Sequence, residues 1–82
     1  MEKRIGTILI IIKLKHNVDR LNKVLSDYSG IILGRQGLSL KDHSVNVISL
    51  VVEGTTDEIG ALTGKLGRLE GLSVKSVLSK ND

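Results

Sequence analysis

Residues 45–53, VNVISLVVE, predict a β-strand that is apolar on both of its faces. Successive side chains of a strand alternate between the two faces of a sheet. One face would carry Val45, Val47 and Val51, and the other would carry Ile48, Leu50 and Val52. A strand with two apolar faces belongs at the centre of a sheet that is covered on both sides.

A second strand of this kind is predicted for residues 5–14. Its two faces carry Ile8, Ile10, Ile12 and Leu14, and Leu9 and Ile11. When the helices of a domain form one layer on one side of a sheet, they leave the other side uncovered. We therefore expect the second apolar side to be covered by another molecule. A second copy of the chain, docked sheet to sheet or edge to edge, is the simplest cover.

Two amphipathic helices are predicted between the strands. The first would be capped by the side-chain oxygen of Asn17 and would stop at Gly30. The second opens with a capping box formed by Thr55 and Glu58 and would stop at Gly71. Their apolar stripes are Val18, Leu21, Leu25 and Tyr28 in the first, and Ile59, Leu62, Leu66 and Leu69 in the second.

Residues 31–40 and 72–78 complete the set as two further strands. Gly34 and Gly37 interrupt the first of these, which is typical of a sheet edge, a bulge or a close backbone approach. The order of the elements predicts an α+β fold, the ferredoxin-like βαββαβ two-layer sandwich with a four-stranded antiparallel sheet. Right-handed crossovers put the first and third strands at its centre.

The composition indicates one small cytoplasmic domain. The 82 residues suit a single domain over residues 1–82. The absence of Cys excludes disulfides and thiolate-held metals and fits a reducing compartment. The longest apolar run, residues 8–12, is far shorter than the roughly 20 residues of a membrane helix. No membrane segment is therefore expected. Lys13 and Lys15 stand where a signal peptide would have its cleavage site, so no signal peptide is expected either.

Three glycines lie on one side of the second predicted helix. Gly60, Gly64 and Gly67 are spaced four and three residues apart, nearly opposite the apolar stripe. Each interior glycine costs a helix roughly 0.5 to 1 kcal/mol relative to alanine. A partner backbone or an effector lying against this side would offset that cost. The alternative is a surface helix of low stability.

The segment Gly34-Arg35-Gln36-Gly37 places a cation between two glycines. Backbone amides and a guanidinium in this arrangement can hold an anion. We therefore include Gly34, Arg35 and Gly37, with the three helix glycines, as candidate effector or interface residues. The spacing matches no dinucleotide or phosphate-loop signature. An edge strand with an ordinary exposed arginine is the alternative interpretation.

The sequence predicts neither catalysis nor a metal or other cofactor. His16 and His43 are expected at the same end of the sheet, but two histidines fall short of the three protein ligands usual in catalytic zinc sites. No nucleophile stands beside a general base in a motif context. An acylphosphatase-like enzyme would need an Arg and Asn pair, and Arg35 and Asn46 lack its loop context.

Direct nucleic-acid binding is also not expected. RNA-binding sheets stack bases on aromatic side chains, whereas Tyr28 is the only aromatic residue and lies on a predicted helix. The formal net charge of +3 is spread along the chain without a polybasic run.

Two segments resemble a known family. Residues 32–38, ILGRQGL, and residues 47–69, VISLVVEGTTDEIGALTGKLGRL, are similar to the iron-only hydrogenase system regulators. The resemblance implies an ACT-like regulatory domain, similar in fold to the ligand-sensing half of the nickel-responsive repressors and assembled as an oligomer. The chain has no added DNA-binding segment and lacks the His and Cys set of those repressors. Neither operator binding nor nickel sensing is therefore expected.

The combined prediction is a cytoplasmic regulatory module that forms a homodimer or higher homo-oligomer. It would bind a small effector or a hydrogenase-system protein, and the resemblance ties it to hydrogenase maturation or expression. The alternative is a structural interaction module without a small-molecule ligand. A specific effector distinguishes the two, because it stabilises the folded chain by mass action.

Overall fold

The computed structural model describes residues 2–13, 17–40 and 45–79. The elements are β1 (Arg4–Ile12), α1 (Val18–Asp27), β2 (Ile32–Leu40), β3 (Val45–Gly54), α2 (Thr56–Gly67) and β4 (Leu72–Leu78), with a 3₁₀ turn (Ser29–Ile31) before β2. The strands form an antiparallel sheet in the order β2-β3-β1-β4. The predicted βαββαβ fold, with β1 and β3 at the centre, is confirmed.

The core lies between the helices and one side of the two central strands. Ile8 of β1 pairs with Leu50 of β3, and both side chains are fully buried on this side. Aliphatic residues from both layers form the core, and they are Ile8, Ile10, Ile12, Leu50 and Val52 of the sheet and Leu21, Leu25, Ile59, Leu62 and Leu66 of the helices. Each such side chain contributes roughly 1.5 to 3 kcal/mol through its removal from water. The predicted division of β1 and β3 into two apolar sides is confirmed.

The capping box at the start of α2 is confirmed. The hydroxyl oxygen of Thr55 accepts a hydrogen bond from the Glu58 amide at 3.1 Å, and the Glu58 carboxylate accepts one from the Thr55 amide at 2.8 Å. Hydrogen bonds to the Glu58 carboxylate, first from the Thr55 amide and then from the Thr55 side chain, hold the pKa of Glu58 below its ordinary value. The predicted stop at Gly71 is wrong, because α2 ends at Gly67. Gly71 instead adopts a φ of 85° in the turn into β4, a conformation that favours glycine.

Helix α1 differs from its prediction at both ends. Asn17 makes no side-chain cap, and its Nδ2 instead donates to the carbonyl of Glu70 at 2.7 Å. This long-range bond joins the start of α1 to the turn before β4. The helix ends at Asp27, and Gly30 lies in the 3₁₀ turn that brings Ile31 against the core. The cap at Asn17 and the stop at Gly30 are therefore wrong, because contacts distant in sequence replace the local signals.

Two strand boundaries also differ. β1 ends at Ile12, and Lys13 already lies outside the strand, where its amide donates to the carbonyl of Gly71 at 2.7 Å. β2 begins one residue later than predicted, and its register with β3 shifts between Ile32 and Gly34. The shift marks an irregularity of the ladder beside Gly34, in agreement with the predicted interruption. The position of β2 in the sheet confirms that it is an edge strand.

The helix layer covers the sheet unevenly. The two helices pack on each other, and the Lys65 ammonium lies 5.2 Å from the centre of the Tyr28 ring, a cation–π contact. Together they bury one side of β1 and β3, whereas β2 is exposed from residue 33 to residue 40. Within the described ranges, neither helix is long and apolar enough to cross a bilayer.

Gly6 provides a test of how closely β1 and β4 approach. A Cβ atom at Gly6 would lie 2.8 Å from the carbonyl oxygen of Val77 and 2.6 Å from Cδ2 of Leu78. Gly6→Ala is therefore expected to lower the free energy of unfolding by about 1 to 3 kcal/mol, measured by urea denaturation. Gly34→Ala is the matched control and should be neutral or slightly stabilising, since nothing lies within 4 Å of a Cβ there. Equal stability of the two variants would contradict the close approach.

Candidate functional site

The side of the sheet that faces away from the helices, which we call the open face, is largely apolar. Residues opposite each other in the antiparallel register share a face, so all strands contribute to it. Its exposed aliphatic side chains are Ile5, Leu9, Leu38, Leu40, Val51 and Val77. Ile11, Val45 and Val47 lie among them and are half-buried. Such a surface is suited to contact with another apolar surface.

The open face is apolar at its centre. Leu9 of β1 is 41% exposed and Val51 of β3 is 45% exposed, although both strands are central in the sheet. The neighbouring polar side chains, Thr7 and Ser49, are small and uncharged. Lys75 carries a charge on the edge strand β4. Lys75 lies opposite Leu9, and Glu53 of β3 carries a second charge opposite Ile5. A partner that covers the whole open face must therefore accommodate these two charges at its borders.

A groove runs between α1 and the exposed helix-facing side of β2, and we call it the α1–β2 groove. It consists of two adjoining hollows of about 340 and 280 Å³ that share Asn22 and Arg35. The outer hollow is lined by Asn22, Leu25, Ser26, Ser29, Ile32 and Arg35. The inner hollow also includes Gly37 and Asn46. The groove exists because α1 packs over the central strands and leaves β2 uncovered.

Strand alternation separates the residues of the segment 34–37, which was predicted to hold an anion. Arg35 pairs with Leu50 and Gly37 with Ile48, so both lie on the helix side, whereas Gly34 pairs with Val51 on the open face. Arg35 and Gly37 therefore belong to one candidate site and Gly34 to another surface. Asn46 lines the same groove as Arg35, but both residues lie in strands. The loop context of an acylphosphatase-like enzyme is not formed by these two positions.

Sequence reasoning missed the polar side of α1 that lines the groove. Asn22 and Ser26 are spaced four residues apart and lie beside the buried Leu21 and Leu25. Their helical spacing was a usable signal. The sequence did not show what this side of the helix faces, because the position of β2 relative to α1 is set by tertiary packing.

The three glycines of α2 lie apart from this groove. Gly60, Gly64 and Gly67 are all exposed, and a Cβ atom at each would meet no atom of the chain outside its own helix turns within 4 Å. No contact within the described chain therefore requires glycine at these positions. Their role as interface or effector residues stays a prediction.

A third hollow was also missed. Arg20 of α1 and Arg68 after α2 line a depression of about 410 Å³ together with Asn17, Leu69 and Glu70. Neither arginine belongs to a motif, so no sequence signal linked them. Glu70 brings the opposite charge to the same lining, so the residues around this hollow are of both signs.

The two histidines lie outside the described residues, as residues 14–16 and 41–44 do as a whole. The approach of His16 to His43 therefore stays a prediction. Within residues 2–13, 17–40 and 45–79, no group of three or more His, Cys, Asp or Glu side chains is arranged to hold a metal ion.

Comparison with known families identifies the family of the chain. A family model named TM1266-like, described as "Iron-only hydrogenase system regulator, putative", matches residues 4–76. This chain belongs to the TM1266-like family. The resemblance carried by residues 32–38 and 47–69 is thereby confirmed. No curated protein matches the chain.

Solved structures agree with the family assignment. The protein TM1266 from Thermotoga maritima is 35% identical, with a TM-score of 0.90 over 96% of this chain and 100% of that chain. An unknown protein from Galdieria sulphuraria is 11% identical, with a TM-score of 0.70 over 99% of this chain and 48% of that chain. The C-terminal domain of the MgtC protein from Mycobacterium tuberculosis is also 11% identical, with a TM-score of 0.67 over 93% of this chain and 87% of that chain. The last two likenesses show the fold alone.

Substitution of the α2 glycines tests what lies against them in this TM1266-like protein. The double variant Gly60→Ala, Gly64→Ala should raise the free energy of unfolding by roughly 0.5 to 1 kcal/mol per site, because alanine restricts the unfolded chain and fits the free space. Thermal and urea denaturation measure this gain. A destabilised variant would contradict the open space, and a stabilised variant with weakened self-association would identify this side as a contact.

Proposed function

We propose that this chain is a regulatory module of an iron-only hydrogenase system that acts as a homodimer or higher homo-oligomer. The observation that carries the proposal is the apolar open face in a member of a family described as regulators. The module regulates by binding, without a reaction of its own. Its one ACT-like domain spans residues 1–82, and the Cys-free composition suits the cytoplasm.

The size of the open face supports self-association. Four strands spaced about 4.8 Å apart and about seven residues long give roughly 450 Å² of sheet. An apolar patch of a few hundred Å² usually marks an interaction surface. A second copy presents the same face, and a two-fold axis lets identical patches meet. Sheet faces packed in this way interdigitate their side chains at a spacing of about 10 Å.

The α1–β2 groove supports the sensing part of the proposal. Its outer hollow lies between α1 and the helix-facing side of β2, opposite the open face, so an effector there and a second copy can bind together. The inner hollow also reaches Leu38 and Val47, which belong to the open face. The edge strand β2 belongs to both surfaces, since its alternate residues face the groove and the partner. Binding in the groove can therefore change the strand that the partner contacts. An interaction module without a ligand would assemble in the same way and leave the groove unused.

Assembly through the open face is tested by Val51→Lys. This position is exposed in the single chain, so the fold should persist, but a dimer would bury the ammonium group. The variant is expected to self-associate at least about tenfold more weakly, with sedimentation measured at micromolar protein concentration. Ala61→Lys adds the same charge at an exposed position of α2 and should sediment like the wild type. Wild-type protein that sediments as a single 8.9 kDa species would overturn the proposed assembly.

The regulatory role is tested in cells that contain this chain and an iron-only hydrogenase. Removal of the chain should change hydrogenase activity or hydrogenase transcript level, and the wild-type chain should restore it. Val51→Lys should fail to restore it, because the open face can no longer assemble, whereas Ala61→Lys should succeed. Unchanged activity and transcript after removal of the chain would contradict a role in this system.

A further inference from the structure

The α1–β2 groove has the composition of a site for one kind of ligand. We propose that it binds a small organic carboxylate with a short apolar body and that Arg35 is the ionic partner of the carboxylate. The proposal rests on the effector-sensing part of the function proposed above and names the class of effector. Its support comes from the volume, charge and lining of the groove.

The groove has room for a small molecule. The two hollows of about 340 and 280 Å³ adjoin at Asn22 and Arg35. Pockets that hold small ligands are typically about 300 to 1,000 Å³. Gly37 lies in the lining of the inner hollow. A Cβ at this position would meet only the Val47 carbonyl oxygen, at 4.0 Å, so a larger side chain would occupy free space that glycine leaves open.

The charge of the lining is one-sided. Arg35 is the only ionisable side chain among the described residues that line either hollow. It makes no hydrogen bond or ion pair with another described residue. A guanidinium group pairs with a carboxylate through two parallel hydrogen bonds. An anionic group is therefore the ligand that this lining favours.

The other lining residues indicate what accompanies the carboxylate. Asn22 and Ser26 supply polar groups on the α1 wall, next to Arg35 on the β2 wall. Leu25 and Ile32 supply apolar surface for an aliphatic body. No described lining residue carries a carboxylate, so an ammonium group on the ligand would gain no ion pair. The site should therefore prefer a simple acid to the corresponding amino acid.

Isocaproate, its neutral amide isocaproamide and its amino-acid analogue leucine form a matched set of probes. Amide NMR spectra of the full chain should show saturable changes at Asn22, Ser26 and Gly37 when isocaproate is added. Isocaproamide should bind at least about tenfold more weakly, because it lacks the charge that pairs with Arg35. Leucine should also bind more weakly than isocaproate. Absence of saturable changes with isocaproate, or equal affinity for the three probes, would overturn the proposal.

Two variants and one control test the residues. Arg35→Gln should weaken isocaproate binding at least about tenfold, and its exposed position leaves folding intact. Gly37→Val should fill the inner hollow and weaken binding while keeping the strand. Arg20→Gln removes the same charge at an exposed position outside the groove and should bind like the wild type. Equal binding by Arg35→Gln and wild type would reject Arg35 as the partner.

Sedimentation of the same samples separates the two proposals. Retained self-association without isocaproate binding would overturn the groove site and leave the assembly standing. Isocaproate binding by a chain that stays monomeric would support the groove and overturn the assembly. Isocaproate binding together with unchanged hydrogenase activity and transcript level after removal of the chain would support the groove site and overturn the hydrogenase role.

Discussion

The alternation of side chains along β1 and β3 is the constraint on which the rest of the structure depends. Both strands carry aliphatic residues on both faces, and a single layer of two helices can cover only one of them. Ile8 and Leu50 become core on that side, while Leu9 and Val51 remain on the other. Burial of apolar surface is the dominant favourable term in folding. The two strands that supply this burial on one side of the sheet therefore leave apolar surface in contact with water on the other.

Features that depend on neighbouring residues were predictable from the sequence. The face of each central strand follows from a period of two, and the capping box follows from Thr55 and Glu58 being three residues apart. The order of the strands then follows from the handedness of the crossovers. The family resemblance added membership of a family described as regulators, which no side chain in the fold specifies by itself.

Features that depend on distant contacts were not predictable. Asn17 looked like a helix cap, but its amide group bonds Glu70 across the molecule. Gly30 looked like a helix stop, but the chain enters a 3₁₀ turn there. The α1–β2 groove depends on how far a helix extends over an edge strand, which no periodicity reports. Arg35 was identified as a candidate from its own segment, while Asn22 needed the fold to bring it alongside.

The contact between Tyr28 and Lys65 joins the two helices on the covered side of the sheet. Tyr28 is also the only aromatic residue of the chain. Its ultraviolet absorbance and fluorescence therefore report on a single location, the junction of α1 and α2. Loss of that junction on unfolding changes the optical signal, whereas docking of a second molecule against the far side of the sheet leaves the ring in the same surroundings. Optical spectroscopy of this molecule thus follows its folding separately from its assembly.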